Sequence, residues 1–284
     1  MRRVRFAPSP TGSLHVGNAL SAVINRREGD WLLLRIDDTD PTRNIPGGEA
    51  AILRDLGWLG IGWDEGPVRQ SARQELYRVA AGRLGSDRFG RTTLLRDDGT
   101  ATYHLASVVD DAEFGITHVY RGNDHRPNEE LHRSLHAALG TAAPMYVHHG
   151  LILGEDGKKL SKRAAGATVE SLRELGIPAA AVRRYLDELG IPRHDVHYDL
   201  ARIRRLAIEA IEAMGEEELA EQAGIPATAV PVARGARDLL EAREYAAQVL
   251  EAPSPHPTHA PETLERFKEL AAADPRAIVR ELKA

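Results

Sequence analysis

Two stretches of this sequence carry side chains whose type and spacing suit work on a phosphate chain. The first is Pro8-Ser9-Pro10-Thr11-Gly12-Ser13-Leu14-His15-Val16-Gly17-Asn18, a turn that delivers an imidazole to the start of a helix. Backbone N–H groups at a helix start are unpaired and carry partial positive charge, so they attract anionic phosphate. Gly17 lets a nucleotide come close to the backbone, and an imidazole at His15 can donate to a phosphate oxygen. An ordinary polar histidine at a helix N-terminus is the competing account.

The second stretch is Gly154-Glu155-Asp156-Gly157-Lys158-Lys159-Leu160-Ser161-Lys162-Arg163, with four cations between positions 158 and 163. It lacks the spacing of a Walker A loop. A solvated basic turn is the default for an isolated charge run. Glycines on its amino side favour instead a loop that moves over a triphosphate, where cations stabilise charge that builds in a transition state.

The elements that would position these stretches follow from periodicity. Residues 3–7 predict a strand, Val16, Ala19, Leu20, Val23 and Ile24 fall on one helical stripe, residues 31–36 predict a second strand, and 47–56 return to helical spacing. Residues 106–109, 117–121 and 145–153 are further strand candidates, with a helix marked by Leu131, Leu135, Ala138 and Leu139. Strands alternating with helices predict an α/β fold with a Rossmann-like, doubly wound parallel sheet, which binds ligands at the carboxyl ends of its strands. The short polar stretch 82–91 reads as a direct join between the two halves. Beyond Gly166 the pattern is helical, over 169–175, 179–189, 200–214 and 216–223, and a proline-rich connector precedes a last helix at 262–270. The predicted division is a catalytic α/β region over 1–165, a helical region over 166–225 and a C-terminal helical region over 226–284.

A chain of 284 residues with 42% hydrophobic residues can build a sizeable core. It contains no cysteine, which removes disulfides, thiolate zinc sites and cysteine nucleophiles. The start is basic but lacks an apolar core segment, and no window has the length a membrane helix needs, so a cytoplasmic protein with no membrane partner is expected. A net charge of -5 argues against a general nucleic-acid binder, although a local basic face stays open. His132 and His136 lie four apart, but the glutamate of a zinc-protease helix and a third ligand are missing, which favours a polar helix surface. Asp37, Asp38 and Asp40 lack the glycine and distal glutamate of a calcium loop, and Asp38 and Asp40 suit a capping role or the ordering of Arg35 and Arg43.

Together the two chemical stretches resemble the paired signatures of class I aminoacyl-tRNA synthetases, His15-Val16-Gly17-Asn18 standing for the HIGH element and Lys159-Leu160-Ser161-Lys162-Arg163 for KMSKS. Arg5–Gly12, Leu34–Asp40, Tyr103-His104-Leu105-Ala106, Val108–Asp111 and Leu151–Gly154 are similar to the glutamyl-tRNA synthetase family, and the likeness continues through 199–203.

That resemblance implies an adenylate-forming ligase using ATP and Mg²⁺, with no zinc. A substrate carboxylate attacks the α-phosphate and pyrophosphate leaves. His15, Lys159 and Lys162 would be catalytic, and His15, Gly17, Asn18, Leu160, Ser161 and Lys162 would hold ATP. Arg5, Ser9, Asp37, Tyr103, Ser107 and Arg121 fall where the family contacts its amino acid, and two guanidiniums suit a substrate with two carboxylates. Structural pairing of the arginines with the acidic turn at 37–40 is the alternative.

The chain departs from the family pattern in two ways. Asp37 stands where glutamate is usual, and Ser107 where asparagine is frequent, so the substrate is glutamate or a close analogue. The acceptor-binding insertion expected near 82–91 is missing, as is the last anticodon-binding region, which favours an acceptor other than tRNA, a small molecule or a carrier protein. A shortened tRNA-charging enzyme and an inactive paralogue that binds an amino acid or a protein partner are the alternatives.

Overall fold

The computed structural model describes residues 1–158, 160 and 164–250. The chain forms two compact units, one of Met1–Val169 with Leu189–Tyr198, the other of Glu170–Glu188 with the chain from Asp199 onward. The strands and helices of the first unit carry the site.

That unit opens with strand β1 (Arg3–Phe6), helix α1 (Val16–Glu28), strand β2 (Trp31–Ile36), helix α2 (Gly48–Trp58) and strand β3 (Glu65–Arg69). The three strands make a parallel sheet in the order β1-β2-β3, with Val4 beside Leu32 and Phe6 beside Leu34. The centre of the sheet must face apolar atoms on both sides, and β2 answers with the run Leu32, Leu33, Leu34, Ile36, each at most 2% exposed. Helix α1 crosses between β1 and β2, with Ala19, Leu20, Val23 and Ile24 all buried.

Helix α3 (Gln74–Leu84), the strands β4 (Arg88–Phe89) and β5 (Thr92–Thr93), and helix α4 (Tyr103–Glu113) follow. The stretch 82–91 holds the last turn of α3 and strand β4. Gly85, at φ +71°, ends α3 in a left-handed cap, and β4 and β5 close a small antiparallel hairpin.

The strand expected over 106–109 lies inside α4. Every residue from Leu105 to Asp111 is buried in this helix, which packs its apolar side chains with Tyr77, Ala81 and Leu135. Enclosure on several sides removes the polar face that would show a helical period, so the sequence reads as a short apolar strand.

Strand β6 (His118–Gly122), helix α5 (Glu129–Ala138) and strand β7 (Met145–His149) complete the second half, with β6 and β7 parallel and in continuous register. The Thr117 amide, just before β6, donates to the Arg3 carbonyl at 2.9 Å and so joins this pair to the edge of β1.

The strand expected over 145–153 breaks at Gly150 into β7 and β8 (Ile152–Leu153). The Gly150 amide donates to Pro192 O, and a Cβ at Gly150 would lie 1.9 Å from the His194 carbonyl, so only glycine fits beneath that segment. Strand β9 (Val196–His197) then pairs with β8 in parallel. The parallel α/β architecture is the one expected.

The second unit is helical, with α6 (Val169–Glu174), α7 (Ala179–Leu189), α8 (Leu200–Ala213), α9 (Glu216–Ala223), α10 (Val230–Ala233) and α11 (Leu239–Leu250). Ile211, Leu219, Val230 and Ala242 share one buried cluster. The helix expected at 262–270 lies outside the described residues. Among the described residues no helix is long and apolar enough to cross a membrane.

Candidate active site

Everything at the site begins with the loop between β1 and α1. Gly48, at the start of α2, lies under the Pro10 carbonyl so closely that a Cβ there would come within 2.2 Å of that oxygen. From the same helix Asp55, 1% exposed, accepts the Ser13 hydroxyl and the Leu14 amide, each at 2.7 Å. The loop is fixed further by the Val16 amide on Ala167 O and the Val169 amide on Leu14 O, both at 2.9 Å. His15 is thereby set as the N-cap of α1, and its Nδ1 accepts the Gly17 amide at 3.2 Å. That bond places the proton of a neutral ring on Nε2, the donor that work on a phosphate oxygen requires.

A cavity of about 590 Å³ opens above the strand ends, lined by Arg5, Ser9, His15, Gly17, Asn18, Asp37, Tyr103 and Arg121 among others. Eight of the residues singled out in the sequence thus share one space. Gly17 leaves room in it, since a Cβ there would meet nothing nearer than His15 Nδ1 at 3.4 Å.

Two candidates do not line the cavity. Ser107 is 1% exposed on α4, with its hydroxyl 3.4 Å from Arg35 Nη2, so it backs the site rather than facing it. Leu160 is buried, its amide on Ile152 O at 3.3 Å. Lys159, Ser161 and Lys162 lie outside the described residues.

The charges under the cavity are arranged around Arg35, a completely buried residue. Its Nε and Nη2 grip both oxygens of Asp37 at 2.6 and 3.1 Å, and its Nη1 meets Asp111 at 3.0 Å. Burial works against the cation, but Asp37, Asp111 and Asp110 together raise its pKa well above the ordinary arginine value. Asp110 in turn receives Gln70 Nε2, Arg73 Nε and the Tyr77 hydroxyl.

The acidic turn is thus partnered by Arg35, and the pairing of Arg5 and Arg121 with that turn is not what forms. Arg5 instead leans on Asp111, Nε to Oδ1 at 3.3 Å, and its terminal nitrogens make no hydrogen bond among the described residues. Asp38 accepts the Ser71 amide and hydroxyl, while Asp40 accepts from Thr42.

Arg121 is 5% exposed and has no carboxylate within 4 Å among the described residues. Its Nε donates to His148 Nε2 at 3.1 Å, its Nη1 approaches His132 Nδ1 at 3.5 Å, and its guanidinium lies 4.7 Å over the Tyr146 ring. Among the described residues Nη2 has no acceptor. Burial pulls the Arg121 pKa down, and Arg5 adds to that.

His132 and His136 prove to be 1% and 0% exposed, which corrects their reading as a polar helix surface. His132 holds His104 at 3.1 Å, and burial beside Arg121 pushes its pKa down to about 2, so it stays neutral. Among the cavity residues that were not anticipated are Asn25, bonded to Ser21 O and Tyr120 O; His149, 2.9 Å from the Ser21 hydroxyl; and His104. Asn25 and Asp55 did leave a trace, because each interrupts the apolar stripe of its helix with a polar side chain.

A family model for the catalytic domain of class I tRNA synthetases (E and Q) matches residues 1–86 and 80–211. The chain belongs to that family. Among its relatives, glutamate–tRNA ligase 1 of Rubrobacter xylanophilus is 41% identical, covering 73% of this chain and 58% of that protein. Glutamate–tRNA ligase of Methylacidiphilum infernorum is 37% identical, covering 66% and 54%. The chain therefore spans somewhat more than half the length of these curated relatives. A glutamate tRNA ligase of Elizabethkingia meningosepticum, solved in complex with its amino acid, superposes with a TM-score of 0.75 at 21% identity, covering 99% of this chain and 89% of that one. That likeness shows the fold, a Rossmann-like class I synthetase architecture.

Membership of this synthetase family implies the use of ATP, typically with Mg²⁺. Among the described residues no three histidine, aspartate or glutamate side chains gather as metal ligands.

Proposed function

We propose that this protein activates glutamate, or a close analogue, as its adenylate at the expense of ATP. The observation that carries the proposal is a single cavity holding both the His15 cap of α1 and two buried guanidiniums, Arg5 and Arg121, whose charge the protein leaves partly or wholly uncancelled. A helix start with an Nε2–H donor suits the phosphates, and paired guanidiniums suit a dicarboxylate. The oxygen of the substrate's α-carboxylate forms a bond to the α-phosphorus, the bond from that phosphorus to the bridging oxygen breaks, and pyrophosphate departs with the electron pair. No protein nucleophile takes part. His15 stabilises charge on the phosphates, and Lys159 and Lys162 share that work in this reading. Asp37, although gripped by Arg35, keeps lone pairs for the substrate ammonium.

The acceptor in this reading is a small molecule or a carrier protein, supported by the brief β4–β5 hairpin where the acceptor-binding insertion was expected. A second reading, tRNA charging, is favoured by the names of the relatives.

ATP–pyrophosphate exchange with each amino acid, with and without tRNA, tests the proposal. Exchange with glutamate alone is the expected result. Exchange that requires tRNA, or accumulation of acylated tRNA, favours the second reading, and no exchange with any amino acid defeats both. Lys162→Ala should abolish exchange while leaving the melting temperature unchanged.

A further inference from the structure

Arg121 is held differently from every other buried arginine at the site. Arg35 faces three carboxylates and Arg5 faces one, whereas among the described residues Arg121 faces no carboxylate but two ring nitrogens, with the Tyr103 hydroxyl beside it. The stronger of the two is His148 Nε2. Arg121 and His148 are register partners on the parallel strands β6 and β7, so their side chains leave the same face of the sheet.

The geometry fixes the state of His148. The Nε of an arginine is always a donor, so the Nε2 it meets at 3.1 Å must be the lone-pair nitrogen and the ring proton must sit on Nδ1. That Nδ1 lies 3.6 Å from Glu129 Oε2, on α5, which favours the required tautomer. The side chain of His148 is only 4% exposed, and it does not line the cavity. Consistent with this, burial and the neighbouring Arg121 push its pKa down to about 4.

A carboxylate in the place of His148 would hold Arg121 equally well but would cancel its charge. A neutral imidazole holds it and leaves the charge in force. We propose that His148 is a positioning residue: with Glu129 facing its Nδ1, it fixes the Arg121 guanidinium as an uncancelled cation reserved for the side-chain carboxylate of the substrate. Nη2 of Arg121, without an acceptor among the described residues, agrees, since a buried guanidinium N–H without a partner is costly until a ligand supplies one. His132 and the Tyr103 hydroxyl are the other polar neighbours of Arg121, and neither carries a negative charge when Tyr103 is held protonated by its burial.

This inference rests on the proposed activation of an acidic amino acid. Its test is the dependence of ATP–pyrophosphate exchange on L-glutamate concentration in the full chain and in His148→Gln, His148→Glu and His148→Leu. The glutamine amide oxygen can accept from Arg121 Nε without bearing charge, so His148→Gln should keep the KM for glutamate within about threefold. His148→Glu should raise that KM roughly tenfold or more, with kcat and the KM for ATP changed far less.

A merely structural role for His148 predicts that Glu and Gln, both acceptors, behave alike, and equal KM values for glutamate in these two variants overturn the proposal. Should His148→Glu fail to fold, His148→Leu decides: a raised KM that His148→Gln restores supports the proposal, and an unmoved KM overturns it. Absence of exchange with an acidic amino acid in the wild-type chain defeats the parent reading and this one with it. Exchange in the wild type with no difference among variants defeats this one alone.

Discussion

Arg35 and Asp37, two residues apart at the end of β2, face one another through two hydrogen bonds, Nε to Oδ1 at 2.6 Å and Nη2 to Oδ2 at 3.1 Å. Neighbours at this spacing on a strand leave the same face of the sheet, which lets the planar guanidinium meet the carboxylate edge to edge. Asp37 is thus a cavity residue whose position is dictated from beneath.

Removing Arg35 should be costly. Arg35→Met leaves buried Asp37 with no cation within 4 Å among the described residues and takes from Asp111 the closer of its two cations, while Asp110 keeps Arg73. The expected loss is about 3–5 kcal/mol of stability, read from urea unfolding. A loss under about 1 kcal/mol would count against a buried charge cluster as the support of the site.

Asp55 tests the positioning of the His15 loop. Asp55→Ala removes the acceptor of the Ser13 hydroxyl and strands the Leu14 amide, whose residue is 2% exposed. We expect about 2–3 kcal/mol of destabilisation and a raised KM for ATP. Asp55→Asn, which keeps an acceptor, should recover part of both.

Gly17→Ala separates fold from nucleotide approach. The added Cβ meets only His15 Nδ1, at an ordinary 3.4 Å, and alanine suits a helix, so the melting temperature should hold. If ATP comes against the backbone here, its KM should rise roughly tenfold. An unchanged KM would move the nucleotide elsewhere in the cavity.

Stability should depend on pH through the buried histidines. The pKa of His132 is pushed down to about 2 and that of His148 to about 4, below the ordinary value of an unfolded histidine near 6.5. Below about pH 6.5 the unfolded chain therefore binds protons that the folded chain refuses. Stability falls as pH falls through that window, by up to about 1.4 kcal/mol per pH unit for each such histidine. Urea midpoints between pH 7 and 5 should show this slope, and His132→Gln should flatten it. Equal slopes for the two proteins would exclude His132 as a contributor.

Where local pattern and structure coincide, one face of an element was buried and the other was not. The stripe Val16, Ala19, Leu20, Val23, Ile24 announces α1 because it packs against the sheet on one side only. In α4 the burial of all residues from Leu105 to Asp111 erases that signal. The candidate site was legible where its chemistry is contiguous, as in the loop from Ser9 to Asn18. It was not legible where partners are far apart: Arg35 meets Asp111 across 76 positions and Leu14 meets Asp55 across 41. Ser107, singled out in the sequence, is turned by its helix toward Arg35 and does not line the cavity.

By itself, then, the sequence determined the α/β class, the turn that presents His15 to a helix start, and which arginines are at hand near the strand ends. These depend on residue type and short spacing, which backbone sterics and hydrophobic periodicity translate directly into local structure. The tertiary structure alone decided which arginine is cancelled and which is kept charged. That choice depends on what lies opposite each guanidinium: carboxylates for Arg35 and Arg5, and for Arg121 the imidazole that the register of β6 and β7 sets beside it.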